Sequence, residues 1–269
     1  MTLKSRIIPV VLLRNGVVVQ SKGFKRYQRL GNPTTIVRRL SNWLTDELIY
    51  LDISSQQIYD LGRDDLNFPN RRSILEILQD VAKHCFMPLT FGGGIRTFDD
   101  VLARTRAGAD KVAVNTQALN VPSFVDVCAK EFGSQCIVVS IDALRGANGS
   151  WEVYAQGGKV PTGRHPAEWA AEVESRGAGE ILLNSIDRDG SGKGYDIALN
   201  RAVVGAVKIP VIACGGVGEW AHLAQGIIEG GASAVAAANI FHYTENSVYE
   251  AKKYLCERGL NVRKPTLGI

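Results

Sequence analysis

Residues 88–116, PLTFGGGIRTFDDVLARTRAGADKVAVNT, and residues 210–239, PVIACGGVGEWAHLAQGIIEGGASAVAAAN, decide the fold. Each reads as an apolar strand, a glycine turn, an amphipathic helix and a second strand ending in Asn. The glycine clusters beginning at Gly92 and Gly215 lie 123 residues apart, and so do Gly108 and Gly231. Two landmarks sharing one offset indicate an internally duplicated strand–helix unit. Chance resemblance of two ordinary βα units is the alternative.

The same alternation extends outward in both directions. Apolar runs at 6–13, 46–53, 88–91, 110–115, 135–143, 180–186, 210–214 and 233–238 read as strands buried on both faces. Amphipathic stretches at 32–43, 70–84, 97–107, 121–132, 165–176, 195–207, 218–229 and 246–258 read as helices. Asn15-Gly16 predicts a small hairpin after the first strand, and Asn148-Gly149 with Gly157-Gly158 predicts a hairpin insertion at about 145–162. The polar segment 54–72 is long for a βα connection, which marks it as functional or mobile. Eight βα units in two similar halves, without a dinucleotide fingerprint or a linker, predict a single-domain α/β fold, the (β/α)8 TIM barrel. Its expected span is 1–262, with a tail at 263–269.

Bulk properties narrow the function. At 269 residues and 45% apolar composition the chain suits one soluble domain, and no apolar run is long enough to span a bilayer. The first residues lack the pattern of a signal peptide, so a cytoplasmic location is expected. A net charge of +4 with scattered basic residues gives no case for nucleic acid. The five cysteines form no CxxC and read as reduced thiols, mostly buried. No histidines fall at metal-ligand spacing, so neither a metal nor another cofactor is expected.

Barrel active sites lie at the C-terminal ends of the strands. Those ends carry Leu12, Asp52, Gly93 and Gly94, Asn115 and Thr116, Asp142, Asn184, Asp187, Asp189, Gly215 and Gly216, and Asn239. The paired glycine turns fit two anion sites for a ligand phosphorylated at both ends; tight turns alone would also explain them. Asp142 is the candidate general acid or base, with capping of the following turn as its other reading. At the opposite end, strand starts hold Arg6, Glu47, Lys111 and Glu180. Strand alternation turns Arg6, Lys111 and Glu180 towards the barrel axis if the mouth residues face inward. A paired ring or solvated strand ends would then account for four charges.

In order, RIIP, DELIYLDI, GGGIR, GADKVAVNT, FGSQCIVVSIDA, TGRHPAEWAAEVESRGAGEILLNSIDRDG, IPVIACGGVG and FHY make residues 4–263 resemble the HisF family, the cyclase subunits of imidazole glycerol phosphate synthase. The resemblance implies a half-barrel-duplicated fold, a bisphosphate substrate, and a HisH-like glutaminase docked on the barrel floor. Ammonia would then travel through the barrel to the mouth. It places Arg6, Glu47, Lys111 and Glu180 at the family's charged ammonia gate, and Asp110 and Gln135 where the glutaminase is received. Asp142 matches the second catalytic Asp, and Asn115, Thr116, Asp187 and Asp189 also match. The first catalytic Asp is Leu12 here, and the first-loop Lys is Gln20. Asn184 replaces a Thr, Asn239 a phosphate-site Ser, and Leu144 a basic residue.

Leu12 has no proton to give, and a positioned acid or base contributes typically ~10²–10⁴-fold. The chain therefore resembles most the HisF-like paralogues linked to acetamidino modification of surface-polysaccharide sugars. On that resemblance an ATP-using sugar amidotransferase accepts the ammonia. The alternative is a true cyclase of histidine biosynthesis, forming imidazole glycerol phosphate and AICAR from PRFAR and ammonia. A third reading is a phosphosugar-binding or isomerising barrel with no glutaminase.

Overall fold

The structure is a computed structural model that describes residues 3–55, 59 and 71–266. Its strands are β1 (Arg6–Arg14), β2 (Val17–Lys22), β3 (Arg26–Gly31), β4 (Leu48–Asp52), β5 (Leu89–Gly92), β6 (Lys111–Val114), β7 (Ile137–Arg145), β8 (Trp151–Ala155), β9 (Val160–Pro161), β10 (Glu180–Ser185), β11 (Val211–Cys214) and β12 (Ala234–Ala237). Its α-helices are α1 (Pro33–Asn42), α2 (Ile74–Ala82), α3 (Phe98–Arg106), α4 (Thr116–Asn120), α5 (Ser123–Phe132), α6 (Pro166–Ser175), α7 (Ile197–Val204), α8 (Trp220–Ile228) and α9 (Ser247–Glu257). Most of the segment 54–72 lies outside the described residues, as do residues 267–269 of the tail.

Strands β10, β11, β12, β1, β4, β5, β6 and β7 pair in that order, all parallel, and β7 pairs back onto β10. That last pairing closes an eight-stranded (β/α)8 barrel, as the βα alternation predicts. Side chains alternate across each strand. Inward positions Ile8, Val10, Ile49, Ala113, Val138, Leu182, Ile212, Ala234 and Ala236 form one buried cluster inside the barrel. Outward positions such as Val11, Tyr50, Val139 and Val235 pack beneath the helices. Three of the nine residues of this cluster are alanines, so this core is built partly from small side chains.

The halves repeat in detail. First strands β1 and β7 each continue into an antiparallel extension, β2–β3 and β8–β9 respectively. Strands β6 and β12 are each followed by one short helical turn, α4 at Thr116 and a 3-10 turn at Asn239–His242. Neither short turn is among the helices that the sequence predicts. The helix expected at 70–84 starts later, where Ser73 accepts a hydrogen bond from Glu76 N–H as its N-cap.

Lys252 bolts the last helix to the first strands. It is fully buried on α9, and its ammonium donates to Asp46 Oδ1 at 2.5 Å and to Leu44 O. Asp46 Oδ2 in turn accepts from Ile7 N–H at 3.1 Å. Burial lowers the pKa of Lys252, and Asp46 opposes that shift. Removing one partner from a buried pair strands the other charge. Lys252→Ala should therefore lower the unfolding free energy by about 3–5 kcal/mol in urea titrations. A change below about 1 kcal/mol would mean that the bolt contributes little beyond a surface pair.

Candidate functional site

The barrel floor is a closed ring of alternating charge. Arg6 Nη1 donates to Glu47 Oε2 at 2.5 Å, and Arg6 Nη2 donates to Glu180 Oε1. Lys111 Nζ completes the circuit, donating to Glu47 Oε1 and to Glu180 Oε2, each at 2.9 Å. The two carboxylates are buried, at 2% and 6% side-chain exposure, whereas the cations keep 27% and 20%. Burial works against the Arg6 charge, yet Glu180 and Glu47 outweigh it and hold its pKa above the ordinary value. Solvated strand ends, the alternative in the sequence, are thus set aside. Thr90, which sequence reasoning missed, also donates to Glu47 Oε1 at 3.0 Å. Its inward parity on β5, two residues before Gly92, was the available signal.

Outside the ring, Asp110 and Gln135 are both exposed. Asp110 also accepts from Leu89 N–H at 2.8 Å, fixing the start of β5. Phe86, just before β5, is 87% exposed. Among the described residues it is one of the most exposed large apolar side chains.

At the mouth, Asp142 is buried at the end of the inward face of β7. Asn115 Nδ2 donates to its Oδ2 at 3.1 Å. Burial pushes the Asp142 carboxyl up to about 7; a hydrogen bond with Asn184 pulls down and the Asp189 charge pushes up. Asp142 thus stands in a sheltered place where it can carry or release a proton near neutrality. Asn184 faces it across the β7–β10 ladder, and its Oδ1 is buried without a hydrogen-bond partner. Leu12 is half-buried and packs on the apolar interior. Cys214, next to Asn184, is a thiol that burial pushes up to about 12. All five cysteines are free, with Cys128 and Cys136 buried and the other three half-buried.

The other strand-end carboxylates have hydrogen-bond partners of their own, although the charge of Asp189 still reaches Asp142. Asp52 accepts from Tyr59 O–H at 2.6 Å and from Ser54 O–H at 2.6 Å. It lies five residues from Glu47, so the odd spacing turns it to the opposite face of the strand. Asp187 accepts from Arg145 N–H at 2.8 Å. Asp189 accepts from Ser21 O–H at 2.7 Å and Phe24 N–H at 3.0 Å, which ties the β2–β3 hairpin to the loop after β10. Asn239 Nδ2 donates to Ser21 O at 3.0 Å, and Tyr243 O–H donates to Gln20 Oε1. From the second half, Gln156 N–H donates to Thr116 Oγ1 at 3.0 Å. Both hairpins are therefore braced by mouth residues.

The glycine turns have a structural necessity of their own. Gly93 (φ +98°) sits where a Cβ would lie 2.0 Å from Asp52 O, and Gly216 (φ +103°) where it would lie 2.2 Å from Gly194 O. Gly94 and Gly215 also take positive φ. Only glycine fits such approaches, whether or not an anion binds there. Among the described residues no group of three or more His, Cys, Asp or Glu is arranged to hold a metal ion. None of the helices among them is long and apolar enough to cross a membrane.

A closed parallel barrel with this duplicated mouth has a counterpart among known families. The family model of histidine biosynthesis proteins matches residues 6–247. The chain belongs to that family. The match takes in all eight barrel strands, the floor ring and every mouth residue named above. Membership places the chain among HisA- and HisF-type barrels.

For this histidine biosynthesis barrel the sign of the Asp142 effect is fixed. Its folded pKa lies above its unfolded value, so the folded state holds the extra proton between about pH 4 and 7. Stability from this group is complete below the unfolded pKa and is lost as pH rises through about 7. A three-unit shift corresponds to roughly 4 kcal/mol. Asp142→Asn should flatten the fall in stability across that window, read as Tm against pH. An unchanged slope would show that Asp142 ionises as freely folded as unfolded.

Proposed function

We propose that this protein is a HisF-type ammonia-conducting subunit of a glutamine amidotransferase complex, diverged from the imidazole glycerol phosphate synthase cyclase. The floor ring carries this reading. Four charges close the floor of a barrel whose interior above them is largely aliphatic and partly lined by alanine, with Thr90 and Ser140 as its inward hydroxyls. Neutral ammonia suits such an interior, whereas ammonium and water find no hydrogen-bonding partners among its aliphatic side chains. Arg6, Glu47, Lys111 and Glu180 then serve as the gate. A HisH-like glutaminase covers the floor, meeting exposed Phe86, Asp110 and Gln135.

The mouth supports divergence. Leu12 adds apolar surface where a two-acid mechanism needs a second carboxylate, and Gln20 accepts a hydrogen bond from Tyr243 in place of holding a phosphate as a cation would. Ammonia leaving here serves another acceptor, and an ATP-using sugar amidotransferase in acetamidino modification of a surface-polysaccharide sugar fits that role. A second reading keeps the cyclase of histidine biosynthesis. It is favoured by Asp142, whose carboxyl near pH 7 remains competent for acid–base work, with Gly93, Gly94, Gly215 and Gly216 still in place for a phosphorylated substrate.

The docking half of this proposal is open to a direct test. Mixed with a HisH-type glutaminase from the same genome, the barrel should form a stable complex in analytical ultracentrifugation. Phe86→Asp should weaken it by about tenfold or more, as expected for a central aromatic anchor. Asp142→Asn at the far end should leave it unchanged. Absence of a complex, or one indifferent to Phe86, would sink the conduit reading.

A further inference from the structure

On the outer flank, between α1 and the segment leading into α9, lies a cavity of about 520 Å3. Arg39 and Trp43 line one side, and His242, Tyr243 and Glu245 the other. It shares no residue with the floor ring, the glycine turns or Asp142. Its size is within the ~300–1,000 Å3 range of small-molecule sites.

Arg39 has an unusual set of neighbours. Its guanidinium lies 4.9 Å from the Trp43 ring centroid. Its Nη2 approaches His242 Nδ1 at 3.4 Å, and its Nε is buried without a hydrogen-bond partner. A guanidinium only donates, so Nδ1 must accept and the imidazole must be neutral. Burial and the Arg39 charge agree with this, lowering the His242 pKa to about 4. Among the described residues no carboxylate pairs with Arg39. The cavity therefore presents a cation with no direct ion pair among the described residues, backed by an indole and a neutral imidazole, with Glu245 in the same lining. Trp43 holds the guanidinium fork in place, which suits two-point recognition of a planar or tetrahedral oxyanion.

We propose that this cavity binds a small oxyanion, a phosphate ester or a carboxylate, held by the guanidinium of Arg39. Trp43 and His242 orient that guanidinium. Glu245 at the cavity edge opposes an anion by charge, so neutralising it strengthens binding. Tyr243 donates to Gln20 on β2, so one wall of the cavity is fixed to the hairpin at the mouth. The site stands independently of the proposed ammonia role.

The test uses the full chain labelled with 5-fluorotryptophan, whose four tryptophans are resolved by 19F NMR and assigned with Trp43→Phe. Inorganic phosphate and malonate are titrated separately at constant ionic strength. A saturable shift of the Trp43 resonance is expected with at least one probe. Phosphate alone points to a phosphate ester, malonate alone to a carboxylate. Arg39→Met should weaken binding by about tenfold or more, the loss expected for a charged hydrogen bond. Glu245→Gln should tighten it, and Arg39→Lys, which keeps the charge without the fork, should fall between wild type and Arg39→Met. The Lys and Gln variants decide the matter if the Met variant does not fold. No saturable Trp43 response in wild type overturns the proposal. So does equal affinity in wild type and the Arg39 variants.

Discussion

Four charges at the floor of the barrel constrain everything above them. Two nearly buried carboxylates are tolerable only if both cations reach both of them, because an unpaired buried charge costs several kcal/mol. Arg6 bridges glutamates 41 and 174 residues away, and Lys111 bridges the same two at 64 and 69. Such a circuit exists only when β1, β6 and β10 and the residue preceding β4 stand at one level around a closed sheet. Barrel closure and charge pairing are thus one condition met twice.

Stability alone does not explain such a ring. Apolar residues of similar volume would hold the floor at least as firmly, since replacing buried ion pairs by well-packed hydrophobic groups is often neutral or stabilising. The proposed role gives the ring another purpose, a controlled entrance for a small polar molecule into a largely aliphatic interior. The mouth is organised differently. Its carboxylates at 52, 187 and 189 are engaged in holding loops and hairpins, while Leu12 extends the apolar interior upward. Asp142 alone remains sheltered and tunable there.

The fold was legible because burial on both faces leaves continuous apolar runs, and the glycine turns mark where each strand yields to its helix. The floor ring was legible for the same reason, since parity along β1, β6 and β10 places Arg6, Lys111 and Glu180 on the axis side. The same parity turns Asp52, five residues from Glu47, to the opposite face of its strand. The remainder lay beyond sequence patterns. Lys252 meets Asp46 across 206 residues, and Asp189 meets Ser21 across 168. No local periodicity encodes which distant polar group a side chain will find. The Arg39 cavity was invisible likewise, because a basic residue on an amphipathic helix ordinarily faces water.

The central claim is that the passage is kept while the two-acid chemistry at its exit is lost. The most direct measurement is ammonium-dependent cyclase turnover of the purified barrel, wild type against the Leu12→Asp, Gln20→Lys double variant. The account predicts wild-type turnover lower by about 10²-fold or more, the contribution of a missing acid–base group. Wild-type turnover equal to that of the double variant, well above the uncatalysed rate, would contradict it.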